Sequence, residues 1–237
     1  NVSPIIYSEE ALTLQNLTVA GPTDSHAGID GVYGKKDLTL DNVTITDIRC
    51  EIDNNPVSGA QFGKAVLAEG EGNVTVSNTT ITDFQKNAMD LNTTGTVSVT
   101  DTTITGIGEN AIIAQNGIVL RKGEAVIDNV TISDISYTAD NEWKNGSVGI
   151  YLLADATAAV TNTTIDKVDN NYAAADDAVI TVTEGNVTYE VTADGEEVIE
   201  VKATGISLDK TTASLNAGET LTLTATVTPE DTTETVT

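Results

Sequence analysis

Apolar and polar residues alternate in short runs along this chain, and the runs share one ending. Two or three alternating apolar positions lead to a polar residue, then to Asn or Asp, then to x-Thr-Ile/Val. Six copies are present: Leu12–Val19 (LTLQNLTV), Leu38–Ile45 (LTLDNVTI), Val74–Ile81 (VTVSNTTI), Val97–Ile104 (VSVTDTTI), Ala125–Ile132 (AVIDNVTI) and Ala158–Ile165 (AAVTNTTI). Period-two alternation of this kind predicts strands with one face inward and one outward. β-branched residues dominate these runs and proline is rare, as strands require. A second strand signal precedes most copies: Ile5–Tyr7, Val32–Gly34, Ala65–Ala68, Ala88–Leu91, Ala111–Ala114 and Gly149–Leu152. Each unit therefore holds about three short strands and three bends. No helical period of useful length is visible.

The marker residues are Asn16, Asn42, Asn78, Asp101, Asn129 and Asn162, separated by 26, 36, 23, 28 and 33 residues. A near-constant minimum with long excursions suits a solenoid whose loops leave and return at one corner. Propeller blades need about 40 residues each, and a sandwich would not repeat one marker six times. At a bend, Asn tolerates left-handed backbone angles, and its amide can bond the equivalent residue above and below. The six markers are thus expected to stack as an inward-pointing ladder. Leu14, Leu40, Val76, Val99, Ile127 and Val160 would form a continuous core row beside it. The fold expected is all-β: a parallel β-helix over residues 1–202.

The pattern resembles the pectate-lyase-like superfamily of right-handed parallel β-helices, in architecture, over roughly residues 1–200. The stretch Asn110–Ile118, which contains Ala114-Gln115-Asn116-Gly117-Ile118, is similar to a coil found in bacterial surface proteins of this type. After about residue 203 the texture changes. Ile206-Ser-Leu208, Gly218-Glu219 and Ala225-Thr-Val227-Thr-Pro229 resemble the first strands of bacterial immunoglobulin-like domains of the second group. The resemblance implies that residues 203–237 are the N-terminal part of such a sandwich, and that the setting is extracellular. The later strands are missing, and Asn1 falls within a repeat, so a larger protein is expected.

Composition narrows the chemistry. The 237 residues carry 36 acidic and 11 basic side chains, a formal charge of −25. Such a surface repels phosphate backbones and anionic lipid, so neither nucleic acid nor membrane insertion is expected. One cysteine, Cys50, excludes an intrachain disulfide and reads as a small core or loop residue. There is no signal peptide and no long apolar run.

Outward positions give the candidate binding residues. If Val32, Val66, Met89, Ile112 and Ile150 point inward, then Tyr33, Leu67, Asp90, Ile113 and Tyr151 point outward, with Tyr7 in the first coil. Three of six tyrosines share this one register, which predicts a face that stacks on sugars or packs on a partner protein. Long excursions add Tyr137 and Trp143, since loops on a rigid scaffold often hold function. The acid pairs Asp140/Glu142 and Asp176/Asp177 could take Ca²⁺ through oxygen ligands, although solvated acids are the commoner outcome and no cofactor is expected. The marker sequons invite N-glycosylation, but an inward ladder would hide them, leaving Asn145 as the best acceptor.

Members of the superfamily that cleave polysaccharides by elimination use Arg or Lys beside Ca²⁺, and hydrolases use converging carboxylates. Lys35, Lys36, Lys64 and Arg121 are the basic residues near the coil strands, and Asp83, Asp90 and Asp134 are scattered carboxylates. Asp47, Asp83 and Asp134 fall at equivalent places after the marker, which suggests turns. A threonine row at Thr13, Thr39 and Thr75 continues as Ser98, Val126 and Ala159, too broken for an ice-matching array. The expectation is a secreted or cell-surface adhesin or scaffold without catalysis. It would bind polysaccharide or a neighbouring cell's protein, with self-association through open ends. A β-helix lyase or glycosidase, and a filament subunit, are the alternatives.

Overall fold

A computed structural model describes residues 3–22, 28–50, 57–140 and 146–234. Trp143, Glu142, Asn145 and Asp53 lie outside the described residues. No helix occurs among the described residues, and sixteen of the eighteen strands form one sheet that winds on itself. Its coils pair in parallel, each strand with its equivalent one coil away.

Three faces recur in each of the six coils that carry a marker. The first face comprises Ser3–Ser8, Ile29–Gly34, Lys64–Gly70, the openings of Asn87–Asn110 and Asn116–Tyr137, then Val148–Leu152 and Asn170–Ala174. The second face holds the strands that lead to each marker, and the third holds the Thr-Ile/Val strands that follow it. Alternation turns one row from each inward. Leu14, Leu40, Val76, Val99, Ile127 and Val160 stack level by level on the second face, as the pattern predicts. Val19, Ile45, Ile81, Ile104, Ile132 and Ile165 do so on the third. Nearly all of these are fully buried, each side chain contributing about 1.5–3 kcal/mol of apolar transfer.

Corners explain why the repeat conserves its polar residues. All six markers have φ between +48° and +55°, a left-handed turn that Asn and Asp adopt most readily among residues with a Cβ. Asp47, Asp83, Asp134 and Lys167 turn the next corner with φ of +51° to +57°. The expected inward ladder is corrected by this geometry. A left-handed residue at a corner throws its side chain outward, and all six markers are exposed. The ladder survives in part, on the outside. Asn42 Nδ2 donates to Asn16 Oδ1 at 2.8 Å and Asn129 Nδ2 to Asp101 Oδ1 at 2.7 Å. Asn78 and Asn162 donate instead to Asp41 and Asp128, the residues just before the neighbouring markers, at 3.0 and 2.7 Å. Burial therefore does not hide the marker sequons.

The solenoid changes character after Val179–Glu184. Val187–Thr192 and Gly195–Val201 add to the sheet in antiparallel fashion. Beyond them Gly205–Leu208 and Ala225–Thr228 pair with each other as a separate two-stranded sheet. Ile206, Leu208, Leu215 and Leu223 are exposed there.

Candidate functional site

The outward row of the first face runs Tyr7, Tyr33, Leu67, Asp90, Val119, Tyr151 and Ala173. Val119 replaces the expected Ile113. Residues 111–115 are not a strand; Asn110 Oδ1 instead accepts from the Ile112 and Ile113 amides, and the strand begins at Asn116. Ile113 is buried, and Ile118 takes the inward place assigned to Ile112.

The row divides into two unlike parts. At one end Tyr7 and Tyr33 pack with ring centroids 5.2 Å apart. The Lys35 ammonium sits 4.7 Å from the Tyr33 ring centre and 2.6 Å from Glu69. The Tyr33 hydroxyl also donates to Glu69, whose carboxyl is held below its ordinary value first by Lys35 and then by Tyr33. Burial pushes the Tyr33 phenol up. This part is a closed hydrogen-bonded unit carrying exposed ring surface.

Asp90 governs the other part. Its side chain is 1% exposed and both oxygens are bonded, Oδ1 by one donor and Oδ2 by three. Arg121 reaches it through Nε at 2.6 Å and Nη2 at 3.0 Å. Lys64 Nζ adds a contact at 2.9 Å and Asn87 Nδ2 another at 3.0 Å. Burial alone would raise the Asp90 carboxyl, but the bonds from Arg121 and Lys64 outweigh it and the net shift is downward. A buried carboxylate paired with two cations is a weak base, which argues against its taking a substrate proton. Lys86 stands beside the group, its Nζ donating to the Ala114 carbonyl at 2.7 Å. Burial lowers the Lys86 ammonium below its ordinary value; Arg121 and Lys64 lower it further, against Asp90.

A second amide ladder, not recognised in the sequence, frames these cations. Asn116 Nδ2 donates to Asn87 Oδ1 at 3.0 Å, and Asn116 Oδ1 accepts from the Val148 amide at 3.2 Å. Asn170 Nδ2 continues it to the Ser147 carbonyl. Gln85 and Gln115, both fully buried, tie adjoining loops to the coils: Gln85 holds the Cys50 and Ser58 amides, and Gln115 holds Phe84 and Ile107. The pairs Gln85/Asn87 and Gln115/Asn116 were the available signal, but their spacing differs between coils, so no repeat emerges. Gly117 is required where the ladder meets the strand, because a Cβ there would lie 2.4 Å from the Gly149 carbonyl oxygen.

Over Val119 and beside Arg121, Lys86 and Tyr151 opens a cleft of about 560 Å³, floored by the Asn116 and Asn170 amides. Tyr151 makes no side-chain hydrogen bond to a described residue. Tyr137 lies apart, with Lys86 and Ile113 around a smaller cavity of about 370 Å³, and its amide is bound to Asp169. Tyr7 and Tyr33 are therefore remote from the cleft that Tyr151 lines. Among the described residues no three acidic, histidine or cysteine side chains gather as a metal site.

A family model described as a right-handed beta-helix region matches residues 5–165 and, in a second alignment, 49–226. No curated protein and no solved structure matched the chain. Coils paired in parallel over more than half the chain agree with that match, and the protein belongs to the right-handed β-helix family.

Proposed function

We propose that this chain is a non-catalytic, secreted or cell-surface segment whose first face binds a glycan. The carrying observation is the cleft beside Tyr151, where an aromatic ring, three asparagine side chains and unspent cationic charge meet on a rigid sheet. Sugars are held by such combinations of ring stacking and amide hydrogen bonds. The pairing of Asp90 supports binding without turnover, since this carboxylate is committed to Arg121, Lys64 and Asn87. Residues 203–237 are read as the N-terminal part of an immunoglobulin-like spacer. Its exposed apolar residues Ile206, Leu208, Leu215 and Leu223 support that reading, because a completed sandwich would cover them.

The test is a glycan array probed with the purified chain, joined to assays for reducing ends and unsaturated sugar products. Retention of a glycan without product is the expected result; turnover of any polysaccharide would replace this reading. A lyase is the second reading, favoured by one observation: Lys86 is a lysine with a depressed pKa beside Arg121 in an open cleft.

A further inference from the structure

One five-residue run occurs twice in the chain, as Glu71-Gly72-Asn73-Val74-Thr75 and as Glu184-Gly185-Asn186-Val187-Thr188. Both copies contain Asn-x-Thr, the acceptor pattern for N-linked oligosaccharide. The fold sets them in opposite surroundings. Asn186 sits half-buried in the tight turn between Val179–Glu184 and Val187–Thr192. It spends Nδ2 on the Lys202 carbonyl at 3.2 Å. Thr188 is buried, and its hydroxyl is bonded to that of Thr183 at 3.1 Å. Asn73 instead stands exposed at the corner before Val74–Ser77, with Thr75 exposed on that strand. Its Oδ1 accepts from the Thr96 amide and hydroxyl, both at 3.0 Å. Its Nδ2 has no partner among the described residues.

The coil itself does not call for an asparagine at this corner. The equivalent positions at other levels are Asp37, Thr96, Glu124 and Thr157. The marker sequons differ in this respect. Asn42, Asn78, Asn129 and Asn162 donate Nδ2 along the outer ladder, and glycans on successive levels, about 4.8 Å apart, would collide. Asn16 keeps its Nδ2, but its place is explained by the ladder bond it accepts from Asn42. Asn92 is half-buried within Asn87–Asn110. Asn73 thus combines a free amide nitrogen, an exposed threonine two residues on and a position that the repeat leaves unexplained. Beside Thr96 opens a polar cleft of about 290 Å³, lined in part by Gly95, Gly123, Glu124 and Thr157, with room for the first sugars.

We infer that Asn73 is a modification site, whose Nδ2 accepts an oligosaccharide from a lipid-diphosphate donor under an oligosaccharyl transferase. The bond between the sugar C1 and the diphosphate oxygen breaks, a bond from C1 to Nδ2 forms, Nδ2 gives up one proton, and the lipid diphosphate leaves. Oδ1 takes no part, so both bonds from Thr96 persist in the product. Asn186, with the same five residues around it, stays unmodified in the folded chain because its amide and its threonine hydroxyl are committed. The inference rests on the secreted or cell-surface part of the proposed function and is independent of glycan binding beside Tyr151.

The test incubates the purified, folded whole chain with an oligosaccharyl transferase and a lipid-diphosphate oligosaccharide, and maps glycopeptides by mass spectrometry. Synthetic peptides spanning 69–79 and 182–192 serve as unfolded references. The two peptides should react alike, since their acceptor runs are identical. In the folded chain, transfer at Asn186 must wait for local opening of its turn, so Asn73 should react about tenfold faster or more. Thr75→Ala should abolish transfer at Asn73 with the thermal midpoint close to the parent's, and Thr75→Ser should keep it. Equal rates at the two sites of the folded chain would overturn the inference. So would an unmodified Asn73 in a chain whose 69–79 peptide reacts. Either result concerns this site alone, and the glycan array still decides the glycan-binding reading.

Discussion

The first and third faces of the solenoid are built by the same backbone and have opposite character. On the third face, Thr18, Thr44, Thr80, Thr103, Thr131 and Thr164 stand in register across six coils, all exposed. One outward position further along lie Ala20, Thr46, Thr82, Thr105, Ser133 and Asp166. Only the first and last of these depart from Thr or Ser. The first face keeps its inward row, yet outward it places Tyr33, Leu67, Asp90, Val119 and Tyr151 at equivalent levels. A residue that recurs at every level serves something every level needs, namely strand propensity, a left-handed corner or a core layer. A residue found at one level serves something that happens once. The threonine face therefore maintains the coil, and the irregular face carries recognition.

Substitutions can break this contrast at several depths. The largest loss should come from the shared interior. Ile104→Ala, in the inward row beneath the threonines, should cost about 2–5 kcal/mol in denaturant unfolding. The half-buried Ile165 at the far end of the same row should cost clearly less. Next, Asp90→Asn removes the countercharge of Arg121 and Lys64 at similar size. Loss of one partner of a buried pair costs up to about 3–5 kcal/mol. Here both cations reach water, at 41% and 23% exposure, so about 2 kcal/mol is expected, read as a lower denaturation midpoint with an unchanged slope.

Acid titration sharpens the same point. The folded Asp90 carboxyl lies below its ordinary value. Its contribution is thus complete above the unfolded aspartate pKa and is lost as pH falls through the folded one. The parent should lose stability there, and Asp90→Asn should lose less over that window. Lys86 has the same sign at the alkaline end. Burial lowers its ammonium below the ordinary value, so the cost of holding that charge falls away as pH rises through the folded pKa toward that of an ordinary lysine, and Lys86→Met should remove this rise in stability, read as thermal midpoint against pH. Smaller again is a corner. Asn129→Ala forces a Cβ without a polar head into φ +53° and should cost about 1–2 kcal/mol, whereas Asn129→Gly should be near neutral.

The fold was legible because repetition amplifies a weak local signal. One strand of Val-x-Val alternation is ambiguous, but six copies ending in Asn/Asp-x-Thr-Ile/Val leave only a stacked coil. Even so, the direction of the marker was misread. Periodicity says that a corner exists, and only the positive φ decides that its side chain leaves the core. The outward register of Tyr33, Asp90 and Tyr151 was legible, because it follows from alternation. Ile113 was misplaced because a six-residue turn held by Asn110 looks like a strand when read as Ala-Ile-Ile-Ala. The cation group was missed for a different reason. Lys64, Lys86 and Arg121 lie 22 and 35 residues apart, and only the unequal loop lengths between coils bring them together around Asp90.

The division of labour between the faces is tested most directly by two sets of substitutions assayed side by side. One set converts Thr80, Thr103 and Thr131 to alanine; the other is Lys86→Met with Tyr151→Ala. Both are measured for thermal midpoint and for affinity toward a glycan retained on the array. The threonine set should lower the midpoint and leave affinity at the parent value. The cleft set should abolish binding while the midpoint stays close to the parent's. Loss of binding in the threonine set, or full binding in the folded cleft set, would contradict the account.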